Sequence, residues 1–353
     1  MRREQTERID AAIKRAQLDG RCLASTVKAH QRMLRTRRDA GLLVSPFPGL
    51  YDSPSHWSQL SASEQHLHVI RALSRLHPNW VFCHQSAAVA HGFLELAPGK
   101  SLCPHVCTSD RANSISSTHT IWHHARGIEG VNANGATVTS SLRTTFDCLR
   151  SMPTANGIAI ADAYLRKTGD SPESLSRSIR KFKGLHGRLR AQELAKLARP
   201  LSENGGESIA RINMLALGFA EPELQVELPD PLNPQKFVRL DYLWLREGLD
   251  RQLVEQMILS GEAERGFLEG CIAGELDGRQ KYTDPGMNGG SAIGALTRER
   301  RRESRLTHYG LHIVRFSFAE ACHPQYLEHL LLSAGVPRAE VTPALLSPSS
   351  ISA

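Results

Sequence analysis

Asp241 places a carboxylate inside the apolar run Val238-Arg239-Leu240-Asp241-Tyr242-Leu243-Trp244, which has strand character. A charge at the centre of a buried strand is costly unless another charge or a metal compensates it. Downstream comes Gly274-Glu275-Leu276-Asp277-Gly278-Arg279-Gln280-Lys281-Tyr282. Glu275 and Asp277 are two apart, so on an extended strand both project to one face. Gly278 permits a sharp turn, after which Lys281 folds back toward the carboxylates. Three carboxylates and a lysine at one sheet edge suit a hard divalent cation, Mg²⁺ or Mn²⁺, held through oxygen. The lysine would orient or deprotonate a water, and the cation would stabilise charge developing on a phosphate. Glu207, at the start of a helix, is a fourth acid, although the helix dipole alone accounts for it. Asp277-Gly278 is equally a common turn pair.

These residues need a sheet and a helix to position them. After the polar, Gly-rich break Ser202-Glu203-Asn204-Gly205-Gly206, the pattern predicts a helix over Glu207 to Leu217. Strands are predicted over 224–228, 237–245, 271–275 and 312–316, with a basic helix over 297–309 and a closing helix over 324–333. Arg301 and Arg302 on the basic helix are placed to face phosphates, although a basic helix is also an ordinary wet surface. The Ser- and Pro-rich end, 339–353, is expected to be disordered.

The middle of the chain, 53–198, reads as an α/β domain. An amphipathic helix spans Ala62 to Leu76, a strand 81–83 and a helix Gln85 to His91. Strands follow at 105–108, 120–123 and 136–139, then helices through Arg143 to Leu149 and Ala155 to Arg166. Arg143 and Asp147 are four apart, the spacing of an intrahelical ion pair. Cys103, His105 and Cys107 share one face if extended, but no companion Cys-x-x-Cys or His pair points to zinc. Packing and capping account for His84 and His91, and burial for Cys148.

Residues 1–52 read as helix (Thr6 to Leu18), short helix (Ser25 to His30), basic helix (Gln31 to Asp39) and a two-stranded hairpin. That is the order of a winged helix-turn-helix, whose third helix would bring Arg32, Arg35, Arg37 and Arg38 to DNA. The arginines lie on more than one side of the helix, so not all can touch DNA together.

Charge agrees with a polyanionic partner. The chain of 353 residues carries 43 Lys and Arg against 36 Asp and Glu, net +7. Two stretches, 1–50 and 167–200, each carry net +6, local fields that attract nucleic acid. With 41% hydrophobic and 22% charged residues the composition is that of a folded globular protein of two or three domains. A membrane span and a secretion signal are not expected, and seven scattered cysteines suit reduced thiols in the cytoplasm. Phosphate-cradling and dinucleotide-binding glycine motifs are absent from the sequence.

The helix-opening Glu207, strand Asp241, Glu275-Leu276-Asp277-Gly278 and nearby Lys281, with Leu306, Gly310 and Val314-Arg315-Phe316 following, resemble the PD-(D/E)XK nuclease fold. The resemblance is to its branch related to very-short-patch repair endonucleases. It implies that Asp241 and Glu275 ligate the metal, that Asp277 assists and that Glu207 is the helix acid. The family's lysine usually stands two residues after the second acid, where this chain has Asp277, so Lys281 would substitute from beyond the turn. His84-Gln85-Ser86-Ala87-Ala88-Val89-Ala90-His91-Gly92 and Val138 to Asp147, with Gly49-Leu50-Tyr51, resemble AbiEi-type antitoxins of type IV toxin–antitoxin systems. That likeness implies DNA binding by the N-terminal module and opposition to a toxin protein.

The expectation is a mixed α+β cytoplasmic protein of three domains: winged helix 1–52, middle domain 53–198 and nuclease-like domain 201–338. Its expected function is DNA binding with Mg²⁺-dependent phosphodiester hydrolysis. The alternative is a non-catalytic DNA-binding regulator or antitoxin with a degenerate nuclease domain.

Overall fold

The computed structural model describes residues 2–109, 118–125, 127–277, 305–341, 343, 345 and 346. The architecture is mixed α+β with three sheets among the described residues. The chain divides into two units, 1–151 with 178–188, and 152–177 with 189–353. No helix among the described residues is long and apolar enough to cross a membrane.

In the first unit, α1 (Arg2–Leu18) is followed by β1 (Leu23–Ala24), α2 (Lys28–Asp39), β2 (Val44–Phe47) and β3 (Leu50–Asp52). The strands form an antiparallel sheet in the order β1-β3-β2. Two expected helices, 25–30 and 31–39, are replaced by strand β1 and the single helix α2. The cause is local: the Ser25 hydroxyl accepts the Val27 N–H and the Gln31 amide donates to the Ser25 carbonyl, holding 25–27 extended. Gly41, at φ +72°, closes α2 as expected. Pro46 is tolerated because β2 is an edge strand.

A five-stranded mixed sheet follows, in the order β6-β5-β4-β8-β7. It comprises β4 (Val81–Phe82), β5 (His105–Thr108), β6 (Ile121–His124), β7 (Val131–Ala133) and β8 (Ala136–Val138). Helices α3 (Pro54–Trp57), α4 (Ala62–Leu76), α5 (His84–His91) and α6 (Ser141–Ser151) accompany it. A capping box between Ser61 and Glu64 starts α4 where the sequence predicts it. Cys22 and Leu50 bury themselves in one cluster with Leu67, Ile70 and Leu73 of α4. That shared core is why 1–52 is not a separate body.

The second unit holds α7 (Thr154–Thr168), α10 (Gly205–Ala216) and a four-stranded sheet, and the segments of α8 (Pro172–Ile179) and α9 (Arg188–Lys196) that lie within it. The sheet order is β12-β11-β10-β9, with β9 (Glu223–Asp230), β10 (Asn233–Trp244), β11 (Ile272–Asp277) and β12 (His312–Ser317). Strands β11 and β12 are parallel and the other neighbours antiparallel. Helices α11 (Arg251–Leu259), α12 (Phe318–Ala321) and α13 (Pro324–Ser333) complete the unit.

The expected boundary near 198–201 does not separate two bodies. Arg211 of α10 is fully buried and reaches Asp162 of α7 at 3.3 Å, the Leu197 carbonyl at 2.9 Å and Glu221 at 3.1 Å. A buried guanidinium must keep its partners, so α7 and α10 belong together. Of the expected basic helix 297–309, residues 297–304 lie outside the described residues. Arg305 pairs with Asp230, and 307–309 form a 3-10 turn. Of the expected disordered end, Ala339 donates to the Gly218 carbonyl and Leu346 is buried. Residues 347–353 lie outside the described residues.

Candidate active site

The register of the four-stranded sheet aligns the predicted acids. Leu240 pairs with Val226 and Tyr242 with Leu224, which puts Asp241 opposite Gln225. Tyr242 pairs with Gly274, where the β10–β11 ladder ends, and the Asp241 side chain reaches β11 by accepting the Leu276 N–H. Glu275 in turn pairs with Arg315. Gln225, Asp241, Glu275 and Arg315 thus form a row of polar residues, paired across the strands at Gln225–Asp241 and Glu275–Arg315 and broken between Asp241 and Glu275. Cross-strand neighbours of this kind have Cβ atoms about 5 Å apart.

A local reversal aims this row. Leu224 and Val226 are two apart on one strand yet pack in different core clusters, and Leu240 and Tyr242 do the same. Strict alternation would put each of these pairs on one face. The exception is Gln225, whose φ of +52° lies in the left-handed region. Such backbone in a non-glycine residue costs about 1–3 kcal/mol and persists only where its surroundings hold it.

The Gln225 amide is shared between two acids. Its Nε2 donates to Glu207 Oε2 at 3.1 Å and to Asp241 Oδ1 at 3.4 Å. Its Oε1 is buried without a hydrogen-bond partner among the described residues. Asp241 is half-buried, not fully buried as its apolar run predicts, and Oδ2 accepts the Leu276 N–H at 2.9 Å. Among the described residues Asp241 makes no ion pair.

Glu207 stands in the first turn of α10, after the cap residue Asn204. Asn204 Oδ1 accepts the Glu207 N–H, Asn204 Nδ2 donates to Oε1 and the Glu203 N–H donates to Oε2. The helix start therefore accounts for its place, while Gln225 and the Tyr242 hydroxyl, which donates to the Glu207 carbonyl, tie it to the sheet. Burial and these neighbouring acids push the Tyr242 phenol well above its ordinary pKa, so it stays a donor.

Glu275 is buried, but Asp277 is half-exposed and paired to Arg315 Nη2 at 3.1 Å. Asp277 is thus occupied by a cation of the chain itself. Lys281, Arg301 and Arg302 lie outside the described residues. Among the described residues, groups of three or more metal-type ligands within 4.8 Å occur at Cys83, His84, His123 and at Asp52, His56, His68, not at the carboxylates. In the latter group Asp52 is already bonded by Gln17, the Ser53 N–H and His56.

Asp241, Glu275 and the orphaned Oε1 of Gln225 are hard oxygen donors of the type Mg²⁺ takes, with water completing its shell. Sequence reasoning missed Gln225, because Glu223, Gln225 and Glu227 alternate with Leu224, Val226 and Leu228 as a wet face does. The left-handed kink is not written in that pattern.

On α2, Arg32 and Arg35 are exposed and three apart on one face, with Leu34 buried. Arg37 is held by Asp10 at 2.7 Å and Arg38 by Asp39 at 2.7 Å. The structure thus splits the four predicted arginines into two available and two engaged.

Comparisons of the chain with protein-family models, with curated proteins and with solved structures find no match.

Proposed function

We propose that the second unit hydrolyses phosphodiester bonds with a divalent cation, and that the first unit binds DNA through α2. The supporting observation is Asp241, bonded to the Gln225 amide and to the Leu276 N–H next to Glu275, with no ion pair among the described residues. Asp241, Glu275 and Gln225 Oε1 would hold Mg²⁺ or Mn²⁺, which supplies Lewis-acid stabilisation of charge on the phosphate. Asn204 and Gln225 hold the Glu207 carboxylate facing the same row. Lys281 is the candidate to orient the attacking water, in keeping with the PD-(D/E)XK resemblance.

Incubation of the full chain with supercoiled DNA and Mg²⁺ or Mn²⁺ tests this reading. The expected result is nicking or linearisation that chelator abolishes and Asp241→Ala removes. Equal cleavage by parent and variant would defeat it.

The Asp277–Arg315 ion pair favours a second reading, a DNA-binding regulator or antitoxin whose nuclease-like site is degenerate. Calorimetric titration with Mg²⁺ distinguishes the two: an enzyme gives a saturable site that Asp241→Ala removes, and a regulator gives none.

A further inference from the structure

Five sulfur and imidazole side chains of the first unit converge on one face of its five-stranded sheet. Strand β5 pairs with β4 through Val81–Cys107 and Phe82–Val106, and the Cys83 N–H donates to the His105 carbonyl at 2.9 Å. Strand β5 pairs with β6 through Cys107–His123. Alternation then puts Cys83, His105, Cys107 and His123 on one face, while Phe82 and Val106 pack in the core on the other. Helix α5 begins immediately after Cys83 and adds His84, whose ring stacks on His123 with centroids 3.6 Å apart. Ligand atoms of Cys83, His84 and His123 lie within 4.8 Å of one another, and Cys107 stands on the same face, opposite Val81 in the β4–β5 ladder.

Ordinary packing leaves two features of this cluster unexplained. His84 is 4% exposed, and its Nδ1 is buried with no hydrogen-bond partner among the described residues. An orphaned imidazole nitrogen costs about 1–3 kcal/mol. Its backbone is also in the left-handed region, at φ +48°. Both costs fall on the residue whose ring stacks on His123 and which shares the ligand group with Cys83.

We propose that Cys83, Cys107, His84 and His123 form a four-coordinate site for a thiophilic divalent metal of the zinc class. The donor set is soft and mixed, two sulfurs and two imidazoles, as structural zinc sites use and as Mg²⁺ does not. His105 supports it from outside: its Nδ1 is 2.9 Å from His123 Nε2, which fixes that ring and leaves Nδ1 of His123 for the metal. Binding requires each thiol to release its proton as the sulfur–metal bond forms.

The surrounding charges favour two thiolates over one. Arg143 and Arg150 act on His84, and Asp147, paired to both at 2.7 and 2.8 Å, is buried with them. A divalent cation with two thiolates adds no net charge beside these arginines, whereas one thiolate would leave a surplus positive charge.

The test is titration of the reduced, metal-stripped full chain with Co²⁺, read by absorbance and followed by displacement with Zn²⁺. One equivalent should produce a thiolate-to-cobalt charge-transfer band with tetrahedral d–d bands, and Zn²⁺ should abolish both. Cys83→Ser and Cys107→Ser should each lose or halve the charge-transfer band, and His123→Ala should weaken binding by about a hundredfold or more. Cys103→Ser, at an exposed cysteine, should bind like the parent. Circular dichroism identifies any variant that fails to fold, and the remaining folded variants then carry the test. An undiminished band in a folded Cys83→Ser or Cys107→Ser chain, or no band in the parent, would overturn the proposal.

Discussion

The Leu276 N–H donates to the Asp241 carboxylate at 2.9 Å, where a backbone carbonyl of the neighbouring strand would normally accept. The β10–β11 ladder ends at Tyr242–Gly274, while β11 continues to Asp277 beside β12. Asp241 therefore caps a strand divergence and faces the row of polar groups at the same time.

Asp241→Asn keeps an oxygen for Leu276 but removes the negative charge. The expected outcome is a stability change within about 1.5 kcal/mol. Metal-dependent cleavage should fall at least about a hundredfold, the scale for removing one group that stabilises transition-state charge. Urea melts and cleavage rates on one preparation check both, and a fall in stability that matches the fall in rate would assign Asp241 to the fold alone.

Arg211→Ala should destabilise the second unit by about 3–5 kcal/mol, because it leaves the Asp162 carboxylate buried without its cation. Arg211→Met combined with Asp162→Asn should recover part of that loss. Urea denaturation of both variants measures it, and additive losses in the pair would show that the two charges do not support each other.

Acid should weaken the first unit through His66. A carbonyl only accepts, so the contact to Leu102 O at 3.2 Å puts the proton on Nδ1, and Nε2 accepts the Ser86 hydroxyl at 3.0 Å. Burial lowers the His66 pKa from 6.5 to about 4. Between those values the unfolded chain binds a proton that the folded chain refuses. Stability from this group is therefore complete above pH 6.5 and falls as pH drops toward 4, by about 3 kcal/mol in all. Melting temperatures of the parent and His66→Gln against pH test this, and parallel curves would remove His66 as the cause.

Arg32→Ala with Arg35→Ala should weaken binding to duplex DNA and lower the slope of log affinity against log salt by about 2. Arg37→Ala should act chiefly on stability, because Arg37 is engaged with Asp10. Fluorescence anisotropy across a salt series separates the two, and unchanged slopes for the double variant would exclude α2 from the interface.

Helix α4, the strand 105–108 and the Arg143–Asp147 pair are legible in the chain because each follows from neighbours a few residues away. The sequence also places Asp241 and Glu275 on strands and Glu207 at a helix start, and the structure has them there. What lines up beside them is not legible. Gln225 reaches Asp241 through cross-strand register and a left-handed residue, and Arg315 meets Asp277 from a strand distant in sequence.

The same division holds for the cysteines and histidines. Cys83 and His84, His105 and Cys107, and His123 stand in three separate segments, each too sparse alone to read as a ligand set. Composition and periodicity marked many of the helices and strands, α4 and the strand 105–108 among them, and where isolated charges must be compensated. Tertiary structure alone decided the partners, because pairing across strands depends on register and twist, which bring together residues that local spacing keeps apart.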